Sequence, residues 1–153
     1  TRRVAEYKPR VSPNGRLIAF VSEEGGVANV YVQPIPGPGS RVPVSIAGGT
    51  DPAWAPDGKA VFYRTSGGSG YVMRATFVDR PNLTVMARDT LFADKYFSNA
   101  NYVAYDVLPG GRELLMVTAG APTSATQRRS VTVIMNWQQM LVGGKGGTTV
   151  PER

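Results

Sequence analysis

Short apolar segments separated by Gly- and Pro-rich turns follow one another along most of the chain. Segment 17–22 is apolar without alternation, which indicates a strand covered on both faces. Residues 1–8 are polar and lead in, and the three prolines of 34–39 exclude regular structure there. The pattern predicts strands at 9–11, 17–22, 27–33, 41–46, 51–54, 60–65, 71–78, 83–92, 102–107, 113–118 and 130–135.

One unit, a tight turn followed by an apolar strand, occurs three times. Its middle copy at 54–63 reads WAPDGKAVFY, and related copies lie at 12–20 and 108–116. Proline presets a turn angle, and glycine takes the left-handed conformation that a type I turn with a Gly bulge requires. We assign a structural role to the repeated turn residues: Pro13, Asn14, Gly15, Pro56, Asp57, Gly58, Pro109, Gly110 and Gly111.

The interval between the copies indicates a β-propeller. The turn prolines recur at intervals of roughly 40–50 residues with about four short strands in each, whereas a β-sandwich would leave the repeated turn unexplained. We predict an all-β fold, a β-propeller fragment of about three four-stranded antiparallel blades, the last irregular. The predicted boundaries are a partial propeller over 1–142, with blades at about 5–46, 47–92 and 100–136 and a short terminal helix at 136–142, and a flexible tail over 143–153.

Composition fits this fold and narrows the classes of function. The 153 residues include 18 Gly and 12 Pro with 42% hydrophobic residues, which suits a turn-rich β protein better than a disordered chain. The chain has no Cys and no His, so disulfides, thiolate chemistry, ordinary zinc sites and His-based triads are excluded. We expect no cofactor, and a start at Thr1 rather than Met leads us to expect a fragment or a processed product.

The positive charge is spread along the chain. The formal net charge is +6, and adjacent basic residues occur only at Arg2-Arg3 and Arg128-Arg129. Nucleic-acid binding favours a clustered patch with interleaved aromatic residues, so no nucleic-acid partner is expected. The apolar runs are too short to span a bilayer, so no membrane segment is expected in this chain. The expected partner is a protein or further propeller blades of the same parent chain.

The repeated turn, with GGTDPAW ahead of it at 48–54, resembles the TolB-type, WD-like propeller repeat. A narrower similarity lies in YKPRVSPNG at 7–15, NVYVQPIPGPG at 29–39, YDV at 105–107 and Asn136-Trp137. These segments resemble a bacterial subgroup in which the propeller forms the C-terminal region of serine/threonine protein kinases or related signalling proteins. The resemblance covers about residues 5–142, and Gly110 departs from it where Asp is usual.

This resemblance implies a non-catalytic, sensory or interaction scaffold for protein or ligand binding. Kinase phosphate-loop, His-Arg-Asp and Asp-Phe-Gly motifs are absent from the sequence, so a kinase catalytic domain would lie outside it. Two alternatives stay open: a periplasmic TolB-like envelope module, and the propeller part of a prolyl-oligopeptidase-type serine hydrolase with a separate catalytic domain. The compartment is undetermined, with a periplasmic or extracytoplasmic location favoured over a cytoplasmic one.

We predict no catalytic, cofactor-binding or metal-binding residues. Asn14 and Asp57 are better placed to bond their own turn backbone than a ligand. Trp54, Tyr31 and Tyr63 are the aromatic binding candidates, although packing between or within blades also accounts for such residues. The spacing of four acidic residues does not match a calcium loop: Asp51, Asp89, Asp94 and Asp106.

Overall fold

The computed structural model describes residues 4–37, 39–66, 70–118 and 130–134, the last segment by its backbone alone. All regular secondary structure in these residues is β-strand. The strands are β1 (Glu6–Val11), β2 (Leu17–Ser22), β3 (Asn29–Pro34), β4 (Val42–Pro43), β5 (Thr50–Trp54), β6 (Ala60–Arg64), β7 (Tyr71–Val78), β8 (Thr84–Ala93), β9 (Tyr105–Val107), β10 (Leu114–Thr118) and β11 (Ser130–Ile134).

These strands form three antiparallel sheets, in which each strand pairs with the next along the chain. Blade 1 contains β1 to β4, blade 2 contains β5 to β8, and blade 3 contains β9 to β11. The first strands contact each other in the series β1, β5 and β9, and the outer strands β4 and β8 also meet. The chain is therefore an all-β propeller fragment whose last blade is irregular, with three strands in the part of the chain that is described.

The three repeated turns close with the same backbone hydrogen bonds. In the first turn the Gly15 N–H donates to Ser12 O at 2.9 Å, and the Ser12 N–H donates to Leu17 O at 2.8 Å. The other two turns repeat both bonds at the matching positions. The glycine that completes each turn has a left-handed φ, of 71° at Gly15, 70° at Gly58 and 70° at Gly111.

The third turn differs from the first two at one position. The side chains of Asn14 and Asp57 accept the backbone N–H two residues later, at 3.0 Å in each case. Gly110 has no side chain to do this, and its φ is 104°. Asn14 and Asp57 do not have a positive φ, so the backbone of the third turn differs from that of the other two at this position.

Two apolar cores lie between the blades, and β6 contributes to both. All five residues of β6 are buried. Val61 and Tyr63 pack with blade 1, in a core that also contains Val21 and Val30, whereas Phe62 packs with Leu114 and its neighbours of blade 3. This is why segment 60–63 is apolar on both faces.

Several strand boundaries differ from the sequence prediction. Residues 1–8 were expected as a lead-in, but β1 already begins at Glu6, because Glu6 and Tyr7 pair with Ser22 and Val21 of β2. The strand expected at 41–46 is reduced to β4, and beyond it the N–H groups of Val44 and Ser45 both turn to Val30 O. A proline within this edge segment removes a ladder donor and shortens it.

The short helix predicted at 136–142 and the flexible tail predicted at 143–153 lie outside the described residues. The predicted blade boundaries at about 5–46, 47–92 and 100–136 stay predictions. Within the described ranges, no helix is both long and apolar enough to cross a bilayer.

Candidate functional site

Lys8 and Asp51 occupy the same position in blades 1 and 2, each directly before a proline and at the same distance before the repeated turn. Both adopt a left-handed backbone conformation, with φ of 54° and 56°. Each lies at a register shift between the first and second strands of its blade. Left-handed angles are uncommon for residues other than glycine and cost on the order of 1 kcal/mol. The two bulges place opposite charges where the blades meet.

The two side chains form a buried ion pair between blades 1 and 2. Lys8 Nζ lies 2.6 Å from Asp51 Oδ1, and the side chains are only 5% and 1% exposed. The same ammonium donates to Asn99 O at 2.9 Å and to Thr50 Oγ1 at 3.4 Å. Lys8 therefore joins both blades to the connection between β8 and β9.

Arg64 extends the ion pair toward blade 3. Its Nη1 donates to Phe97 O at 2.8 Å and lies 3.9 Å from Asp51 Oδ2, while its Nε lies 3.1 Å from Asp94 Oδ2. The contact with Asp94 has ion-pair distance without hydrogen-bond alignment. Among the described residues, three buried side-chain nitrogen or oxygen atoms have no hydrogen-bond partner: Asp51 Oδ2, Arg64 Nε and Arg64 Nη2.

Tyr105 of blade 3 completes this buried cluster. Its hydroxyl donates to the backbone oxygen of Asp51 at 2.7 Å, and the Arg64 guanidinium lies 5.6 Å from its ring centroid. Burial, reinforced by the negative charge of Asp51, raises the pKa of Tyr105 well above its usual value. The phenol therefore remains protonated and can donate to Asp51 at neutral pH.

An open cavity of about 700 Å³ borders the cluster, at the end of the blades opposite the repeated turns. We call it the far-end cavity. It is lined by Tyr7, Lys8, Glu23, Thr50, Asp51, Ser98, Asn99, Ala100 and Asn101. The Tyr7 hydroxyl donates to Glu23 Oε1 at 3.3 Å, and burial together with that carboxylate raises the pKa of Tyr7. The lining offers hydroxyl, amide and carboxylate groups and is suited to binding a polar group.

A second cleft, of about 630 Å³, lies between blades 1 and 2 at the end that carries the repeated turns. We call it the turn-end cleft. Its charged lining residues are Arg16, Arg80 and Asp79, and its apolar residues include Leu17 and Leu83. The two openings therefore differ in charge, with an excess of carboxylates at the far-end cavity and of guanidinium groups at the turn-end cleft.

Two of the three aromatic candidates from the sequence, Trp54 and Tyr63, belong to the same apolar core between blades 1 and 2. Trp54 donates its Nε1–H to Arg10 O at 2.8 Å and packs edge-on against Phe77, which ties blade 2 to blade 1. Tyr63 is 3% exposed in the core between these blades. Tyr31 stacks on Phe20 at 6.1 Å, and Arg41 lies 5.5 Å from its ring centroid. None of the three lines either opening.

The four acidic residues considered for a metal do not come together in one group. Asp89 Oδ2 pairs with Arg74 Nη2 at 2.7 Å, while Asp51 and Asp94 flank Arg64. Asp106 bonds the adjacent Val107 N–H. In the described ranges, no group of three or more acidic side chains is arranged to hold a metal ion.

Sequence reasoning missed the buried cluster, although a signal for it was present. Lys8-Pro9 and Asp51-Pro52 stand at equivalent positions of two copies of the repeat, and they have opposite charges. Opposite charges at one position of neighbouring blades could have predicted a contact between the blades. The sequence gives no comparable signal for Arg64 and Asp94, because their contact depends on how β6 packs against the connection to blade 3.

Comparison with known proteins shows the fold more clearly than the family. No family model matches the chain. The chain is 39% identical over 64 residues to the uncharacterized peptidase YuxL of Bacillus subtilis (strain 168), which is 40% of this chain and 10% of YuxL. The chain therefore spans a small part of that relative.

The solved structures that resemble the chain include the following three. A protein described as TolB from Agrobacterium tumefaciens has a TM-score of 0.62 at 17% identity, over 90% of this chain and 48% of that one. Acylaminoacyl peptidase of Pyrococcus horikoshii has a TM-score of 0.57 at 16% identity, over 80% of this chain and 18% of that one. A protein described as a 6-phosphogluconolactonase from Bacteroides uniformis has a TM-score of 0.52 at 16% identity, over 88% of this chain and 42% of that one.

These structures have different named activities, and the chain spans half or less of each. At such low identities the similarity concerns the fold alone. The chain thus shares a β-propeller-like fold with TolB and acylaminoacyl peptidase structures.

Proposed function

We propose that this chain is a non-catalytic β-propeller scaffold that binds a protein or ligand at its far end. The observation that supports this most is the far-end cavity, where strained and buried charged residues border an open polar space. Strain of this kind is concentrated at functional sites in proteins. The lining contains neither thiol nor imidazole, because the chain has no Cys and no His. It offers recognition groups rather than an activated nucleophile.

For the parent protein, we propose a bacterial signalling protein with a serine/threonine kinase domain outside this chain. The support is the sequence resemblance at 7–15 and 29–39 described above. An extracytoplasmic location and a TolB-like envelope role belong to the same proposal as alternatives. The coding sequence on either side of this chain tests the assignment: a kinase domain upstream would support it, and a signal peptide without a kinase would favour the envelope module.

A second candidate is the propeller of a serine peptidase. The identity of 39% to YuxL over 64 residues and the fold of acylaminoacyl peptidase favour it. Its catalytic domain would be a separate part of the parent protein. A hydrolase domain next to this chain in the coding sequence would support this candidate and exclude the kinase-linked parent.

Blocking each opening separately tests the binding role of the chain itself. A photo-reactive residue at Asn101 would report partners at the far end. Ala100→Trp would fill the far-end cavity, and Asn82→Trp would fill the turn-end cleft as a matched control. We expect a discrete cross-linked species from host extract that is lost with Ala100→Trp and retained with Asn82→Trp. Absence of such a species, or equal loss with both variants, would contradict the proposal.

A direct activity assay completes the test. The chain, incubated with peptide p-nitroanilides or with ATP and casein, should produce neither nitroaniline nor phosphorylated protein. Turnover that purifies with the chain would show it to be catalytic and would overturn the scaffold proposal.

A further inference from the structure

The ammonium and phenol donors that line the far-end cavity are already in use. The Lys8 ammonium has three protons and three acceptors, Thr50 Oγ1, Asp51 Oδ1 and Asn99 O, at 3.4, 2.6 and 2.9 Å. The Tyr7 hydroxyl donates to Glu23. A ligand at this cavity would therefore find few cationic donors to bind.

The acceptors, in contrast, are in excess. Asp51 lines the cavity and is 1% exposed, and its Oδ2 lies 3.9 Å from Arg64 Nη1 but accepts no hydrogen bond from the described residues. Glu23 adds a second carboxylate at the exposed rim, and Ser98 adds a hydroxyl oxygen. Arg64 compensates part of the Asp51 charge but is shared with Asp94, so Lys8 and Arg64 face three carboxylates and the formal charge around the cavity is negative. Both the hydrogen bonding and the charge favour a ligand that donates protons and is positive.

We infer that the far-end cavity binds a ligand through a primary ammonium group, an inference that rests on the proposed binding function. An ammonium offers three donors, which match the Asp51 and Glu23 carboxylates and the neighbouring hydroxyl groups. A bound water could satisfy Asp51 Oδ2 as a donor, but it would leave the excess negative charge uncompensated. The same chemistry occurs in a small amine, such as an amino sugar, and at the amino terminus of a peptide.

The strained backbone explains how a carboxylate is retained at this position. Asp51 at φ 56° is held by Lys8 from blade 1 and by the Tyr105 hydroxyl on its backbone oxygen. Contacts from two other blades thus fix its orientation before any ligand arrives. The turn-end cleft has two guanidinium groups, from Arg16 and Arg80, against one carboxylate, and it serves as an internal control that should reject amines.

Matched amines and amides test the inference. Glucosamine is compared with N-acetylglucosamine, and glycinamide with N-acetylglycinamide, because acetylation removes the charge and keeps most of the remaining structure. Titrations are followed by the backbone amide NMR signals of residues 98–101, with those of residues 79, 80, 82 and 83 as the turn-end reference. We expect each free amine to shift the 98–101 signals and to bind at least about 10-fold more tightly than its acetylated form, the scale of a charged hydrogen bond.

Glu23 and Glu24 provide a matched pair of variants on one turn. Glu23 lines the cavity, whereas Glu24 does not and instead pairs with Arg41 at 2.8 Å. Glu23→Gln should weaken amine binding about 3- to 10-fold, and Glu24→Gln should leave it unchanged. Asp51→Asn should reduce binding more strongly, and its thermal melting shows whether the fold is retained. If the Asp51→Asn variant unfolds, the comparison of Glu23→Gln with Glu24→Gln decides whether the cavity binds the amine.

The outcomes separate this inference from the proposed function. Equal binding of free and acetylated probes, no shift at 98–101, or equal effects of the two glutamate variants would overturn the inference. A cross-linked partner that Ala100→Trp removes would still support the scaffold in that case. Preference for glucosamine over glycinamide would identify a small amine as the ligand, and the reverse would identify a peptide amino terminus.

Discussion

The two interfaces between neighbouring blades have similar apolar cores, but different polar groups at the far end. Between blades 1 and 2, the buried Lys8–Asp51 ion pair joins the first strands. Between blades 2 and 3, a neutral Tyr105 hydroxyl bonds the Asp51 backbone, and the position equivalent to Asp51 is the buried Ala104. The repeated turn thus recurs in each blade, while the residues of the first strands differ and give each interface its own polar contacts.

The largest effect should come from the apolar core between blades 2 and 3. Phe62→Ala removes a side chain that is 1% exposed and leaves a cavity, which should lower the free energy of unfolding by about 3–5 kcal/mol. Urea denaturation measures this loss. Val61→Ala, in the opposite core, should cost less because fewer atoms are removed. If Val61→Ala were the more damaging change, the core between blades 1 and 2 would be the dominant one.

Breaking the ion pair should have an effect nearly as large at the other interface. Lys8→Met leaves the Asp51 carboxylate buried without its nearest cation, at a cost of about 3 kcal/mol or more. The double variant Lys8→Met/Asp51→Asn should be more stable than Lys8→Met alone, because no buried charge is left unpaired. A double-mutant cycle by urea denaturation measures the coupling.

Arg41 provides the control for the ion-pair variant. It pairs with Glu6 and Glu24 at the surface, so Arg41→Met should cost less than about 1 kcal/mol. Equal losses for Lys8→Met and Arg41→Met would show that burial does not strengthen the inter-blade pair.

Removing the Tyr105 hydroxyl, at the interface between blades 2 and 3, should lower the free energy of unfolding by an intermediate amount. Tyr105→Phe keeps the ring and deletes the donor to Asp51 O, which should cost about 1 kcal/mol. Thermal melting at neutral pH measures the change. A loss as large as that of Lys8→Met would mean that the hydroxyl, rather than the ion pair, holds Asp51 in place.

The same residue predicts how stability depends on alkaline pH. Burial raises the pKa of Tyr105 well above 10.0, so the folded state keeps the proton to higher pH than the unfolded state does. This contribution is complete below about pH 10 and is lost as the pH rises further, by at most about 1.4 kcal/mol per pH unit. Urea denaturation between pH 9 and 11 should show a steeper decline for the native chain than for Tyr105→Phe. Parallel curves would contradict the prediction.

The smallest loss of stability should come from the side chains of the repeated turns, which are present in blades 1 and 2 and absent at Gly110 of blade 3. Asp57→Ala removes one exposed side-chain acceptor and should cost about 0.5–1 kcal/mol. Its blade 3 equivalent, Gly110, lacks this acceptor naturally. A loss above about 2 kcal/mol would indicate that Asp57 does more than close its own turn.

The fold was largely predictable from the sequence, because its determinants are local. Each Pro-Gly turn is encoded within a few residues, and the apolar run of β2 indicates a strand covered on both faces. Strand ends were harder to predict, since Glu6 and Tyr7 enter β1 only through their partners on β2.

The candidate site was less predictable, because it depends on contacts between blades. The sequence around Arg64 does not predict that its side chain bonds Phe97 O or approaches Asp94. The aromatic residues chosen from the sequence pack between or within the blades instead, as Trp54 does against Phe77. Side-chain type alone did not distinguish a residue that packs from one that borders a cavity.

The complete burial of β6 has a consequence for how the molecule unfolds. Its successive side chains face opposite interfaces, so Val61 and Phe62 are bound to different neighbours through one short piece of backbone. Detaching blade 3 exposes the Phe62 face and removes the Tyr105 contact on Asp51, which in turn loosens blade 1. We therefore expect the described blades to melt in one cooperative transition. We also expect truncation after β8 to weaken the Lys8–Asp51 contact between blades 1 and 2.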